Sequence, residues 1–244
     1  MDTRPSRALP VAREDDVTRR ARVDVVEDTA LPGLIRSDRR FAAGDPDRCF
    51  ELPRGCPFVA IDPGRDGAAV FVQPTQYWPP AKAPRVVPFS DAAVLVEVAR
   101  AFAQMIGGPL TLPAVIVVED GYIGTLGGSL GGPRGVVLGQ IANTIARTAR
   151  TNQIVGMLAT MLAEHGRERI DGVHVLRVSP ATWQASVLGL SSRAGREALK
   201  KASLEHAAET MTALGFGDER KAVREGIADA LGIAAWFARG RWRT

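Results

Sequence analysis

Four carboxylates sit in contexts that could do chemistry. Asp62 follows the apolar run Phe58-Val59-Ala60-Ile61 and precedes Pro63-Gly64. Glu119 closes the run Ala114-Val115-Ile116-Val117-Val118. Asp229 lies late in the chain, in Ala228-Asp229-Ala230-Leu231, with Glu225 one helical turn before it. An acid directly after a buried strand is held by a rigid element, and strand tips of α/β sheets form the crevice where ligands bind. Several acids converging there repel one another unless a cation sits between them. Hard carboxylate oxygens suit Mg²⁺ or Mn²⁺. Two such ions about 4 Å apart activate a water and stabilise the leaving oxygen at a phosphodiester. Taken singly, each feature is common: Asp-Pro-Gly is usually a turn, a strand-end Glu usually faces water, and a helical Asp often caps or pairs. Their combination is far more specific.

The elements that must position these acids can be read from periodicity. Phe58–Ile61 is a short buried strand, and Gly64 and Gly67 allow a tight turn into a second strand, Ala68–Val72, making a hairpin. Pro74 to Pro88 is a loop or an irregular edge strand. Ser90 or Asp91 caps a helix from about Ala92 to Met105, which Gly107-Gly108-Pro109 stops. The strand Ala114–Val118 is apolar on both faces, so it belongs in the middle of a covered sheet. A glycine-rich loop, residues 121–135, leads to a long helix with Val137, Ile141, Ile145, Val155, Leu158 and Leu162 at helical spacing. Val173–Val178 is another strand. Helices follow from about Ala194 to Leu214, burying Leu204, Ala207, Met211 and Leu214, and from about Arg220 to Ala238. In the last helix Val223, Ile227, Leu231 and Ala234 form one stripe. Glu225 and Asp229 face the other side, which Ile233 and Trp236 continue as apolar. Asp229 therefore enters a region where an unpaired charge is costly. The order of elements implies a mixed sheet with helices on both faces.

At 244 residues the chain holds one domain of ordinary size plus an extension. Residues 1–55 carry 11 basic and 11 acidic side chains with scattered Pro and Gly, so the rest carries the whole net charge of +4. This first segment reads as a charged, flexible extension with at most a short strand at Val23–Val26, and residues 56–244 as the folded domain. The surplus charge permits a polyanion partner without demanding one. No apolar run approaches the roughly 18 residues that span a bilayer, and the N-terminal residues lack a signal's apolar segment. The expected location is the cytoplasm, at the nucleoid, with no membrane partner. Cys49 and Cys56 form no CxxC pair and have no histidine nearby, which argues for two reduced thiols rather than a zinc site.

With these residues in place, the sequence resembles the RuvC-type Holliday junction resolvases. Those have a first strand ending in Ile-Asp-Pro-Gly, a later strand ending in an aliphatic-Glu step, and a terminal helix with Ala-Asp-Ala-Leu before an Ile-Ala step. Here these are Ile61-Asp62-Pro63-Gly64, Val118-Glu119 and Ala228-Asp229-Ala230-Leu231-Gly232-Ile233-Ala234. The resemblance covers about residues 57–240. It implies an RNase H-like α/β fold, a mixed central sheet with helices on both faces. It also implies Mg²⁺ (with Mn²⁺ substituting) held by Asp62, Glu119 and Asp229, and catalysis by the same acids. Bacterial members place a fourth acid three residues before the last Asp, where this chain has Gly226. Plastid and some phage members use a four-residue spacing, which makes Glu225 the fourth catalytic and metal-binding acid. Tyr122 matches an aromatic that wedges into the junction centre, although as a residue it reads equally well as packing on the loop glycines. Val178-Ser179-Pro180-Ala181-Thr182-Trp183 resembles a strand–Pro–x–x–Trp step of phage and plastid members. Lys200 and Lys201 fall where the family places basic residues near the scissile phosphate.

Beside a carboxylate site, the cluster Arg134, Arg147, Arg150, Arg193, Arg196, Lys200, Lys201, Arg220, Lys221 and Arg224 can hold phosphates, with Arg134, Arg193, Arg196, Lys200 and Lys201 the expected DNA contacts; as helix-surface charges alone they are ordinary. The expected substrate is a four-way DNA junction. Its near two-fold symmetry suits a homodimer, for which the resemblance offers the long helix 136–163. Other readings stay open: an RNase H-like nuclease acting on RNA–DNA hybrids or flaps, and a non-cleaving junction-binding relative. An ATP-binding protein of the sugar kinase and actin group would need two such domains and a longer chain.

Overall fold

The computed structural model describes residues 35–41, 52, 55–64, 66–73, 79–80, 82–89, 92–105, 112–120, 134–166, 170–214 and 225–240. Its centre is a six-stranded mixed sheet. The strands are β1 (Ile35–Phe41), β2 (Phe58–Asp62), β3 (Ala68–Val72), β4 (Arg85–Pro88), β5 (Leu112–Glu119) and β6 (Ile170–Val178). Their order across the sheet is β1-β6-β5-β2-β3-β4. The pairs β1–β6, β6–β5 and β5–β2 are parallel, and β2–β3 and β3–β4 are antiparallel. The predicted hairpin is β2–β3, and the Pro-rich stretch ends in the edge strand β4.

Side chains of a strand alternate between faces, and both faces here are covered. Phe58, Ala60, Val115, Val117, Leu176 and Val178 enter one cluster; Val59, Ile61, Ile116, Val118, Val173 and Val175 enter the other. The second face is covered by α1 (Ala92–Met105) and α2 (Arg134–Gly166). The first is covered by α4 (Arg196–Ala213) and α5 (Glu225–Arg239), with Trp183 of the short α3 (Pro180–Val187). This double covering explains why β2 and β5 read as continuous apolar runs rather than alternating ones. α3 is only eight residues long, too short for an apolar period to mark it in the sequence. Ser179 caps it, its Oγ accepting from Thr182 N at 3.2 Å, and Pro180 opens it.

Three expectations change. Residues 35–41 are not extension: they form the edge strand β1, paired with β6, and Phe41 and Leu52 are buried in the core. Its polar sequence hid it. The strand is knit by side-chain pairs: Arg177 Nε donates to Asp38 Oδ1 at 2.9 Å, and Ser37 Oγ bonds His174 Nδ1 at 2.7 Å. Ile145 does not join the buried stripe of Val155, Leu158 and Leu162; it is 63% exposed. At 3.6 residues per turn Ile145 lies about 80° round the helix from Val155 and about 140° from Leu158, at the edge of the stripe and not within it. In α4, Ala207 and Met211 are buried while Leu204 and Leu214 are half-buried. Val23–Val26 and Cys49 lie outside the described residues.

Candidate functional site

The alternation that builds the core also delivers two of the acids. Asp62 continues the stripe of Phe58 and Ala60, and Glu119 continues that of Val115 and Val117, so both point to the face covered by α3, α4 and α5. The β2–β5 register pairs Ala60 with Val117 and Ile61 with Val118, which makes Asp62 and Glu119 the next neighbours at the strand tips. Adjacent strands stand about 4.8 Å apart. Both carboxylates are nonetheless buried, at 7% and 6% exposure. Asp229 arrives on α5, which packs on that same face. All three acids line one cavity of about 530 Å³, together with Pro63, Gly64, Asp66, Arg150 and Arg196.

Each acid is oriented by a neutral donor. Gly64 N donates to Asp62 Oδ1 at 2.9 Å, Trp183 Nε1 to Glu119 Oε2 at 3.0 Å, and Ser203 Oγ to Asp229 Oδ1 at 2.6 Å. Trp183 and Ser203 are themselves buried, so these donors are fixed by packing. Fixed donors restrict the carboxylate rotamers.

The hairpin turn and α5 meet closely. A methyl group at Gly226 would overlap the Asp66 carbonyl oxygen, and one at Gly67 would overlap the Asp62 carbonyl oxygen. Position 226 is where an acid with three-residue spacing would stand, and the hairpin backbone occupies that space. The contact brings Asp66 to the cavity wall, an acid that sequence reasoning missed. The signal available was its place in the turn, Asp62-Pro63-Gly64-Arg65-Asp66-Gly67, four residues after Asp62.

Of the described basic residues expected to contact DNA, Arg196 lines the cavity, at the first turn of α4. Arg193 and Lys201 are exposed and Lys200 is half-buried; none of the three lines the cavity. Lys201 Nζ lies 3.9 Å from Glu205 Oε1. Arg150 of α2 also lines the cavity, with its guanidinium 5.9 Å from the Phe89 ring centroid. Glu225 opens α5 and Arg134 opens α2, but their side chains, like all of Tyr122, lie outside the described residues. Burial pushes the Cys56 thiol up to about 12, against a backbone hydrogen bond that lowers it, which leaves an inert thiol.

The donor set is all oxygen, which suits a hard divalent cation. Among the described residues no three His, Cys, Asp or Glu side chains already group closely enough to hold a metal ion. The fit is therefore one of donor type and shared cavity, not of a closed cage. No family model matches the chain, and no curated protein matches it. Among the described residues no helix is long and apolar enough to cross a membrane.

Proposed function

We propose that the chain is a divalent-metal-dependent endodeoxyribonuclease of the RNase H-like fold, related to the RuvC-type resolvases, that cuts four-way DNA junctions. One observation carries this reading. Asp62, Glu119 and Asp229 come from three distant parts of the sequence, yet they line one cavity that Arg150 and Arg196 also reach. Like charges gathered at one cavity repel one another, and a bound divalent cation relieves that repulsion. A mixed sheet covered by helices on both faces agrees with the proposed fold.

Asp62, Glu119 and Asp229 would hold the Mg²⁺, with Glu225 as the fourth acid. A bound divalent cation supplies charge neutralisation at the phosphate and a more acidic water. The chain's own residues do the rest. Ser203 keeps the Asp229 carboxylate aimed, Gly67 and Gly226 close the hairpin against α5, and Arg150 and Arg196 hold the phosphate backbone. Tyr122, Arg134, Arg193, Lys200 and Lys201 extend the DNA contact beyond the cavity. A two-fold dimer through α2 would present two such sites to the two strands of a junction.

The test is a substrate panel. The protein is incubated with labelled four-way junction, linear duplex and RNA–DNA hybrid, each with Mg²⁺ and with EDTA. Paired, Mg²⁺-dependent nicks in the junction alone are expected. Cutting of the hybrid alone would move the activity to another RNase H-like nuclease class. Tight junction binding without any cutting would make the chain a non-cleaving relative.

A further inference from the structure

Trp183 is the residue whose surroundings the proposed reaction does not by itself explain. Its indole is fully buried. Two contacts distinguish it from an ordinary core tryptophan. Its Nε1 donates to Glu119 Oε2 at 3.0 Å. Its ring lies against the backbone of α5 at Gly232, where a Cβ would stand 2.5 Å from Trp183 Cζ3. Gly232 is three residues after Asp229, one turn along the same helix. One side chain thus touches the carboxylate on β5 and the helix that carries the carboxylate on α5.

The local sequence fixes the indole in that position. Ser179 N donates to Phe41 O at 2.9 Å, which ties the start of α3 to β1. Ser179 Oγ and Thr182 Oγ1 lie 2.8 Å apart, and Trp183 N donates to Ser179 O at 3.3 Å. The first turn of α3 is therefore held by its cap and by the sheet edge. Asp120 N donates to Val178 O at 2.9 Å, which anchors the chain just after Glu119 to the strand that leads into α3.

We propose that Trp183 is a positioning residue for the cation site: it sets the orientation of Glu119 and the separation between the tip of β5 and the Asp229 turn of α5. The inference rests on the proposal that these acids bind a divalent cation. A donor outside the ligand set that orients a ligand typically affects metal affinity or activity by about 10–100-fold. A tryptophan that merely fills the core would contribute volume and leave metal affinity unchanged.

The experiment uses the full chain, ¹⁵N-labelled, titrated with Mg²⁺ and followed by NMR. The Gly64 amide reports on Asp62, to which it donates. The Trp183 indole N–H reports on Glu119. Both resonances should shift with a single midpoint. Trp183→Phe removes the donor and keeps most of the ring volume. It should weaken Mg²⁺ binding about 10–100-fold, with cleavage recovering at high Mg²⁺, a rescue that a packing defect would not show. A Gly64 shift with an unmoved Trp183 indole would overturn the inference while leaving the cation site standing. So would a folded Trp183→Phe protein with wild-type Mg²⁺ affinity. If neither resonance moves, the cation site itself fails and the inference falls with it. Should Trp183→Phe not fold, the wild-type titration still decides.

Discussion

The two faces of the sheet bury the same strands in different ways. The face under α1 and α2 is closed mainly by aliphatic side chains and by the Phe71–Phe102 pair, whose rings meet edge-to-face at 5.3 Å, and the charge it buries, Arg177, is matched by Asp38 and by Asn152 of α2. The face under α3, α4 and α5 is also packed, but polar atoms enter it: the Glu119–Trp183 and Asp229–Ser203 bonds, the buried Asp62, and the ring nitrogens of His206, which have no hydrogen-bond partner among the described residues. An apolar face costs nothing in unpaired polarity and supplies stability. A face carrying adjacent buried acids gives up stability for a site. One face mainly braces the sheet and the other carries the acids, while α2 adds Arg150 at the cavity's rim; substitutions should separate bracing from chemistry.

The largest effect on stability should come from the plain face. Leu158, fully buried against the sheet, becomes a cavity in Leu158→Ala. Urea unfolding should show a loss of about 2–5 kcal/mol, while cleavage per folded molecule stays as in the wild type. Gly226→Ala comes next and should reverse the pattern. Its methyl group displaces the Asp66 carbonyl and with it the Asp62 hairpin. The stability cost should be about 1–3 kcal/mol, but the rate should fall on the order of 100-fold, as a displacement of about 1 Å at a reacting centre can do. Equal damage to stability and rate in both variants would erase the distinction between the faces.

The smallest effect concerns pH. Burial holds the His206 pKa below its ordinary 6.5, helped by Arg239 and opposed by Glu209. The fold therefore prefers the neutral ring. Above pH 6.5 neither state is protonated and nothing is lost. As pH falls below 6.5 the unfolded chain takes up a proton that the folded chain refuses, so stability drops until the lower folded pKa is reached. The melting temperature should decline over that window, and the decline should be shallower in His206→Met. An equally steep profile in that variant would assign the pH dependence to other groups.

Much of this arrangement was legible in the sequence, for identifiable reasons. β2, β3 and β5 announce themselves because strands covered on both faces must be apolar throughout, and the acids Asp62 and Glu119 stand out because they end such runs; β6 shows through Val173, Val175, Leu176 and Val178 although His174 and Arg177 interrupt it. Asp229 was recognisable from its place in an otherwise apolar helix. β1 was hidden because an edge strand with Arg36, Ser37, Asp38, Arg39 and Arg40 gains its hold from backbone pairing and from the Arg177–Asp38 bonds, neither of which leaves an apolar period. Asp66 was hidden because its role depends on how closely the hairpin meets α5, which is a matter of backbone distance and not of pattern. Trp183 was noticed as part of a recurring step, but its bond to Glu119 spans 64 residues of sequence and cannot be read from spacing.

The most direct measurement of the central claim is the thermal unfolding of the wild type and Asp62→Asn, each in EDTA and in Mg²⁺. Asn keeps the acceptor for Gly64 N and removes the charge beside Glu119. Mg²⁺ should raise the melting temperature of the wild type, because a ligand of the folded state stabilises it by mass action. Asp62→Asn should melt at or above the wild type in EDTA and no longer respond to Mg²⁺. A wild type indifferent to Mg²⁺, with Asp62→Asn destabilised in EDTA, would contradict the cation site and make Asp62 a structural turn residue.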